Sequence, residues 1–294
     1  MSFFLRITAS AWLAVMLCAM APSAAHGTGT DTHGLRVMTF NVRYPSPDDG
    51  INVWPKRRDL MVEVIKAERP DILGTQELYM RQGKYLADHL PHYRWFGLGR
   101  FGNNRDGHEN EHMGVFYNTE RLRVINSGNF WLSDTPDIPG SNTWDQPFPR
   151  MVTWAEFQDK ATSRRFYYFN THLPYREQDE DLRERGAKII LKRIAGMTGS
   201  LPVILSGDFN STPDKPTYAI LTGVLKDARA TAPSPQGPEA TYHGFTGKPA
   251  QHIDWILYRG LEVKHVRTVT THHGKVYPSD HFPVVADFGW APST

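Results

Sequence analysis

Asp208 and Asn210 stand two apart in the stretch GDFNSTPD, directly after the apolar run PVILS. On an extended chain that spacing aims both side chains the same way, and Gly207 before them lets the chain turn sharply. An acid and an amide are thereby offered together where a strand ends. The pattern recurs. Six short runs rich in Val, Ile, Phe and Tyr carry such residues at or near an end: LRVMTFN (Asn41), DILGTQE (Glu77), RRFYYFNTH (His172), PVILSGDFN (Asp208 and Asn210), HIDWIL (Asp254) and SDHFPVVADF (Asp280 and His281). A single acid of this kind is more simply a cap or turn former; six such runs in one chain are not explained that way. Oxygen donors without cysteine, and with histidine in the minority, suit a hard divalent ion such as Mg²⁺ or Mn²⁺. The residue types together suit the handling of a metal ion or a phosphate.

These residues need strands to hold them. Apolar runs bounded by Gly or Pro predict strands over residues 35–40, 71–75, 93–96, 113–117, 124–130, 153–158, 166–170, 203–206, 253–258, 263–270 and 283–287. Helices are predicted over 54–68, where Pro55 suits the first turn and Met61, Val64 and Ile65 form an apolar stripe, and over 80–89 and 181–197. Strands outnumber helices and helices follow only some of them. That pattern excludes a regular eight-fold barrel and predicts an α+β fold, two mixed sheets packed together with helices outside. The long polar loops 99–112, 133–149 and 232–249 are expected to wall a substrate cleft.

The chain has 294 residues, 40% of them hydrophobic and 22% charged, as in a globular protein with a large core. The net charge is +2, and the densest basic cluster, Lys56-Arg57-Arg58, reads as the solvated start of a helix. This balance gives no support for avid nucleic-acid binding, although it leaves a nuclease open. Arg6, the apolar segment 7–21 and Ser23-Ala24-Ala25 make residues 1–25 a secretory signal, too short for a membrane span of about 20 residues. Residues 26–34 are expected to be a flexible leader and 35–294 a single domain, with no stable membrane span after cleavage. The only cysteine, Cys18, lies inside the signal, so the mature protein has neither disulfide nor catalytic thiol. Export without disulfides points to a bacterial periplasm or exterior. A sequon at Asn210-Ser211-Thr212, where a glycan would block the most functional-looking loop, agrees.

The ordered set TFN, QE, NTH, GDFN, HIDWI and SDHFPV resembles the endonuclease/exonuclease/phosphatase superfamily of metal-dependent phosphoesterases over residues 35–288. That superfamily includes deoxyribonuclease-like enzymes, inositol polyphosphate 5-phosphatases, neutral sphingomyelinases and deadenylases. The resemblance implies a four-layer α/β/β/α sandwich with the site at one sheet edge. It implies Glu77 as the central metal ligand, with Asn41 and Asp280 completing or bordering the site through water. Asp208 would deprotonate the attacking water, and Asn210 would hold that water or the phosphate. His281, oriented by Asp254, would stabilise charge on a non-bridging oxygen, and His172 would contact the phosphate or assist the leaving oxygen. FNVRY, DGINVWPKRR, GLGR, FWLSDTPD, WDQPFPR and Thr153-Trp154 resemble a secreted bacterial branch.

Arg43, two residues beyond Asn41 on an extended chain, is expected to face the cleft. Arg150, ending a proline-rich loop, and Arg183, opening a helix, are candidates to grip a second anionic group. Glu111 is a candidate for the same wall. Trp131, Trp144 and Tyr175 read either as stacking platforms or as core. The segment LPYREQDEDLRERG is acidic and lacks a basic stripe for tracking a duplex. The leading expectation is an exported Mg²⁺-dependent phosphoesterase acting on the mono- or diester of a phosphorylated small molecule, sugar or lipid headgroup. An extracellular nuclease and an inactive module that binds phosphorylated ligands are the alternatives; no protein partner is implied.

Overall fold

The apolar runs form twelve strands in two sheets of a computed structural model, which describes Met1 and residues 34–105 and 110–291. The signal segment beyond Met1 and the leader up to His33 lie outside the described residues. The first sheet contains β1 (Leu35–Asn41), β2 (Ile72–Gln76), β3 (Tyr93–Phe96), β4 (Val115–Asn118), β11 (Leu261–Thr268) and β12 (Val284–Trp290), in the order β11-β12-β1-β2-β4-β3. The second contains β5 (Leu122–Trp131), β6 (Met151–Asp159), β7 (Arg165–His172), β8 (Val203–Asp208), β9 (Lys226–Asp227) and β10 (Asp254–Arg259), in the order β5-β6-β7-β8-β10-β9. Each sheet is mixed: β1 runs parallel to β2 and antiparallel to β12, and β8 runs parallel to β7 and antiparallel to β10. The innermost strands are buried along their whole length, which is why they read as unbroken apolar runs and not as an alternation.

Val37, Ile72, Phe157, Tyr168, Ile204 and Phe288 fill the space between the sheets. Helices α1 (Trp54–Glu68) and α2 (Met80–His89) cover the outer face of the first sheet with Leu60, Met61, Ile65 and Leu86. Helix α3 (Glu180–Thr198) covers the second with Leu182, Ile190 and Ile194. Each such side chain contributes about 1.5–3 kcal/mol of burial, and the result is the expected α/β/β/α sandwich.

Register matters most for the site. β7 and β8 pair His172 with Asp208, and β10 and β8 pair Asp254 with Asp208. Residues directly opposite in a ladder point to the same face, so three neighbouring strands set His172, Asp208 and Asp254 in one row.

Several elements differ from expectation. Helices α4 (Pro216–Thr222) and α5 (Ala228–Thr231), with β9, are too short to show a period and read as loop. Gly207 is no turn but part of β8, where a Cβ would stand 2.2 Å from the carbonyl oxygen of Thr171. Arg57, expected to be solvated, is 0% exposed. It donates to the carbonyl oxygens of Val42 (2.8 Å), Arg43 (2.7 Å) and Pro278 (2.9 Å), closing loop acceptors that would otherwise be buried unpaired.

Candidate active site

The ends of β1, β2 and β8 are each turned by a residue in the left-handed region: Arg43 (φ 52°), Glu77 (φ 57°) and Asn210 (φ 47°). Side chains other than glycine adopt this conformation at a cost, and such residues gather where function demands it. Here they bend three strand ends around a cavity of about 700 Å³. Arg43, Glu77, Glu111, Arg150, His172, Asp208, Asn210, Asp280 and His281 all line it. Asn41 and Asp254 lie buried behind them.

Asn41 ties the two sheets together. Its amide nitrogen donates to Glu77 Oε1 and to Asp208 Oδ2, both at 3.0 Å, while its Oδ1 accepts the Arg43 N–H at 2.9 Å. It therefore orients both carboxylates, while the second lone pair of its Oδ1 stays open to a cation or a cation-bound water. Glu77 Oε2 accepts the Tyr44 N–H at 3.0 Å. Burial would raise the Glu77 pKa, but Arg43, the two hydrogen bonds and His281 together hold it below the ordinary value.

On the other side, His281 Nδ1 meets Asp254 Oδ2 at 2.8 Å, and that oxygen also accepts the Thr241 hydroxyl at 2.5 Å. Burial would lower His281, yet the charge and hydrogen bond of Asp254, with Asp208 and Asp280, push it up to about 10. The imidazolium turns its Nε2 toward Asp208 Oδ2 at 3.8 Å. Burial and the Asp254 charge push Asp208 up to about 7, against the pull of His281, Asn41 and the Asn210 N–H.

Asn210 Nδ2 donates to the carbonyl of Leu173 (3.1 Å), which fixes which end of the amide faces His172 Nε2 at 2.9 Å. Both amide protons are then in use, leaving only Oδ1, an acceptor suited to a water proton and not to a phosphate oxygen. His172 Nε2 must accept, so its proton sits on Nδ1. Burial, then Arg150, Arg100 and His281, hold His172 well below its ordinary value and keep it neutral.

Two groups of acids could hold a cation. Ligand atoms of Asp208, Asp254 and His281 lie within 4.8 Å of one another. Asp254 and His281 are already bonded to each other, however, and a cation there would have to displace an imidazolium. Glu77 and Asp280 face the cavity. Burial raises Asp280 and the Glu77 charge adds to it, against His281, Arg43 and Arg57. Carboxylates crowded this way, with only oxygen donors, fit a hard divalent ion.

The cleft departs from expectation at Arg43 and Arg183, and decides between the two readings of the aromatic residues. Arg43 lines it through a left-handed turn, not an extended chain. Arg183 lies outside it: 4% exposed, it donates to the carbonyl oxygens of Pro174 and Arg176 (both 2.8 Å) and pairs with Glu180 at 2.7 Å, securing the loop after β7. Trp131 and Trp144 are buried, their indole N–H groups on the Arg100 carbonyl and Asp134; Tyr175, 54% exposed, does line the cavity. The three long loops supply walls as expected, through Arg100, Phe148 and Tyr242. Those three went unmarked as site residues, as did Thr241. Arg100, at the end of GLGR, and Phe148, inside WDQPFPR, carried usable signals; Tyr242 and Thr241 carried none.

A model of the Endonuclease/Exonuclease/phosphatase family matches residues 38–281. The endonuclease/exonuclease/phosphatase of Bacteroides vulgatus superposes with a TM-score of 0.82 at 34% identity, covering 87% of this chain and 99% of that one. The mannosyl-6-phosphatase of Bacteroides thetaiotaomicron superposes with a TM-score of 0.80 at 30% identity, covering 86% and 99%. Human nocturnin is 25% identical over 291 residues, which cover 87% of this chain and 65% of nocturnin.

Proposed function

The chain belongs to the endonuclease/exonuclease/phosphatase family, and we propose that within it this protein is an exported, Mg²⁺-dependent hydrolase of a phosphate ester on a small molecule, a phosphorylated sugar foremost. The observation that carries the reading is the row His172–Asp208–Asp254, with the His281 imidazolium bonded to Asp254 and facing Asp208 across 3.8 Å. A protonated base beside an acid of raised pKa is an arrangement made for proton transfer next to developing negative charge.

In this reading Asp208 accepts a proton from the attacking water, and Asn210 Oδ1 orients that water. The water oxygen bonds to phosphorus as the bond to the leaving oxygen breaks, and the departing alkoxide takes its proton from a solvent water. His281 and the Nδ1–H of His172 donate to the non-bridging oxygens as their charge grows. Glu77 and Asp280 would hold Mg²⁺, with Asn41 aligning Glu77 from behind. The ion, when bound, would neutralise phosphate charge and lower the pKa of a bound water.

A cavity of about 700 Å³ suits a small phosphorylated molecule. Tyr175 and Phe148 on its wall offer faces for a sugar ring. The likeness to a mannosyl-6-phosphatase supports the substrate class, and residues 1–25 support export. The test is phosphate release by the purified protein in Mg²⁺ from hexose 6-phosphates, a phosphoinositol, sphingomyelin and single- and double-stranded DNA. Turnover of a sugar phosphate well above the rest supports the reading; turnover of DNA alone replaces it with a nuclease.

A further inference from the structure

Three arginines line the cavity, and two of them are already committed. Arg43 pairs with Asp49 at 2.9 Å, lies 3.9 Å from Asp280 and covers the Tyr44 ring at 4.2 Å. Arg100 pairs with Glu111 at 3.0 Å and stacks on Phe148 at 4.0 Å. Arg150 is different. It is 5% exposed, and its guanidinium makes no hydrogen bond or ion pair with the described residues; Nη1 is sealed from solvent without a partner. Its guanidinium carbon lies 5.8 Å from the centre of the Tyr175 ring. A buried cation without a counterion is costly, and Glu111, the acid whose charge acts on it most, is paired with Arg100.

A second donor is left unanswered beside it. With Nε2 of His172 accepting from Asn210, the Nδ1–H is buried and unpartnered, 3.8 Å from Glu111 Oε2. Nε2 of the same ring lies 3.6 Å from Asp208 Oδ2. Two unpaired donors, one of them a full charge, thus face the cavity that Asp208 also lines, and the Arg150 charge is felt at His172.

We propose that Arg150 grips the scissile phosphate itself and selects a phosphate monoester over a diester. This rests on the phosphoesterase reading and adds which ester the site takes. A monoester near neutral pH carries close to two negative charges on three terminal oxygens, and the guanidinium fork matches two of them at once. A diester has one charge and a carbon substituent where the third oxygen would be. It gains less from a buried cation that has no water to fall back on.

The test compares wild type, R150Q and R150K on p-nitrophenyl phosphate and bis-p-nitrophenyl phosphate at saturating Mg²⁺, and measures the thermal shift each gives with inorganic phosphate in EDTA. R150Q is expected to lose about 30-fold or more in kcat/KM on the monoester. On the diester it should lose less than about tenfold, and its phosphate-induced shift should vanish. R150K should recover part of each. Equal losses on both esters, an unaffected monoester rate, or a retained phosphate shift would each overturn the proposal. An unaffected p-nitrophenyl phosphate rate with a loss confined to substrates bearing a second anion would move Arg150 to that group instead. If wild type hydrolyses neither ester the phosphoesterase reading fails, while the phosphate shift still decides the role of Arg150. Should R150Q not fold, R150K against wild type carries the same comparison.

Discussion

Asp208 sits where its own charge is least comfortable, buried beside Asp254 and raised to about 7 from an ordinary 3.8. An acid raised in the folded state costs stability wherever it is ionised: nothing below 3.8, a growing amount through about 7, and the full amount above. Asp208→Asn is therefore expected to melt higher than wild type at pH 8 in EDTA, by roughly 2–6 °C, and to show little difference near pH 4. The same variant should lose about 10³-fold or more in turnover. A lower Tm at pH 8, or near wild-type turnover, would contradict the role given to this acid. Because a nearby cation favours the carboxylate, the acid limb of the pH–rate profile should move to lower pH as Mg²⁺ rises toward saturation. An acid limb that ignores Mg²⁺ would separate Asp208 from the ion. The acids and histidines at strand ends were legible because their chemical types are rare at the borders of apolar runs. The partners that set their state were not. Thr241, 13 residues before Asp254, and the orientation of the Asn41 amide depend on contacts that no local pattern encodes.

At the scale of elements, the site is a consequence of pairing. β8 is flanked by β7 and β10, and the row of site residues exists only in that register. Gly207 keeps β7 and β8 in contact. Gly207→Ala would drive a Cβ to 2.2 Å from the Thr171 carbonyl and should destabilise the protein by about 1–3 kcal/mol. It should also depress kcat by parting His172 from Asp208. Gly196→Ala in α3, where a Cβ meets nothing within 4 Å, should be neutral or stabilising by up to about 1 kcal/mol. Chemical denaturation of both variants checks the pair, and equal stability would show that strand contact at Gly207 is not critical. The helices expected near 54–68 and 80–89 form there, the first marked by its apolar stripe and Pro55. The turns that follow β1, β2 and β8 were less legible. Arg43 and Glu77 take up left-handed conformations that their types do not announce, so the extended-chain argument placed Arg43 in the cleft for the wrong local reason; only Asn210 is of a type that favours this turn.

Across the whole molecule, two sheets bring residues more than 200 positions apart into one cavity, with Asn41 bonded to both Glu77 and Asp208 and its carbonyl held by Ser279. The order of short motifs along the chain foretold this assembly because each motif lies at or beside one end of a strand on the same rim. Arg183 shows the limit: an arginine opening a helix near the site serves the loop behind it as readily as the cleft. No helix among the described residues is long and apolar enough to cross a membrane. With a net charge of +2 and no basic stripe, hydrolysis of a small phosphate ester should change little between 50 and 200 mM salt, where a nuclease would lose activity steeply. The most direct test of the central claim is phosphate release from a hexose 6-phosphate by the purified wild-type protein, followed before EDTA, after EDTA and after Mg²⁺ is restored. The account predicts activity that EDTA abolishes and Mg²⁺ returns. Turnover that persists unchanged in EDTA would contradict it.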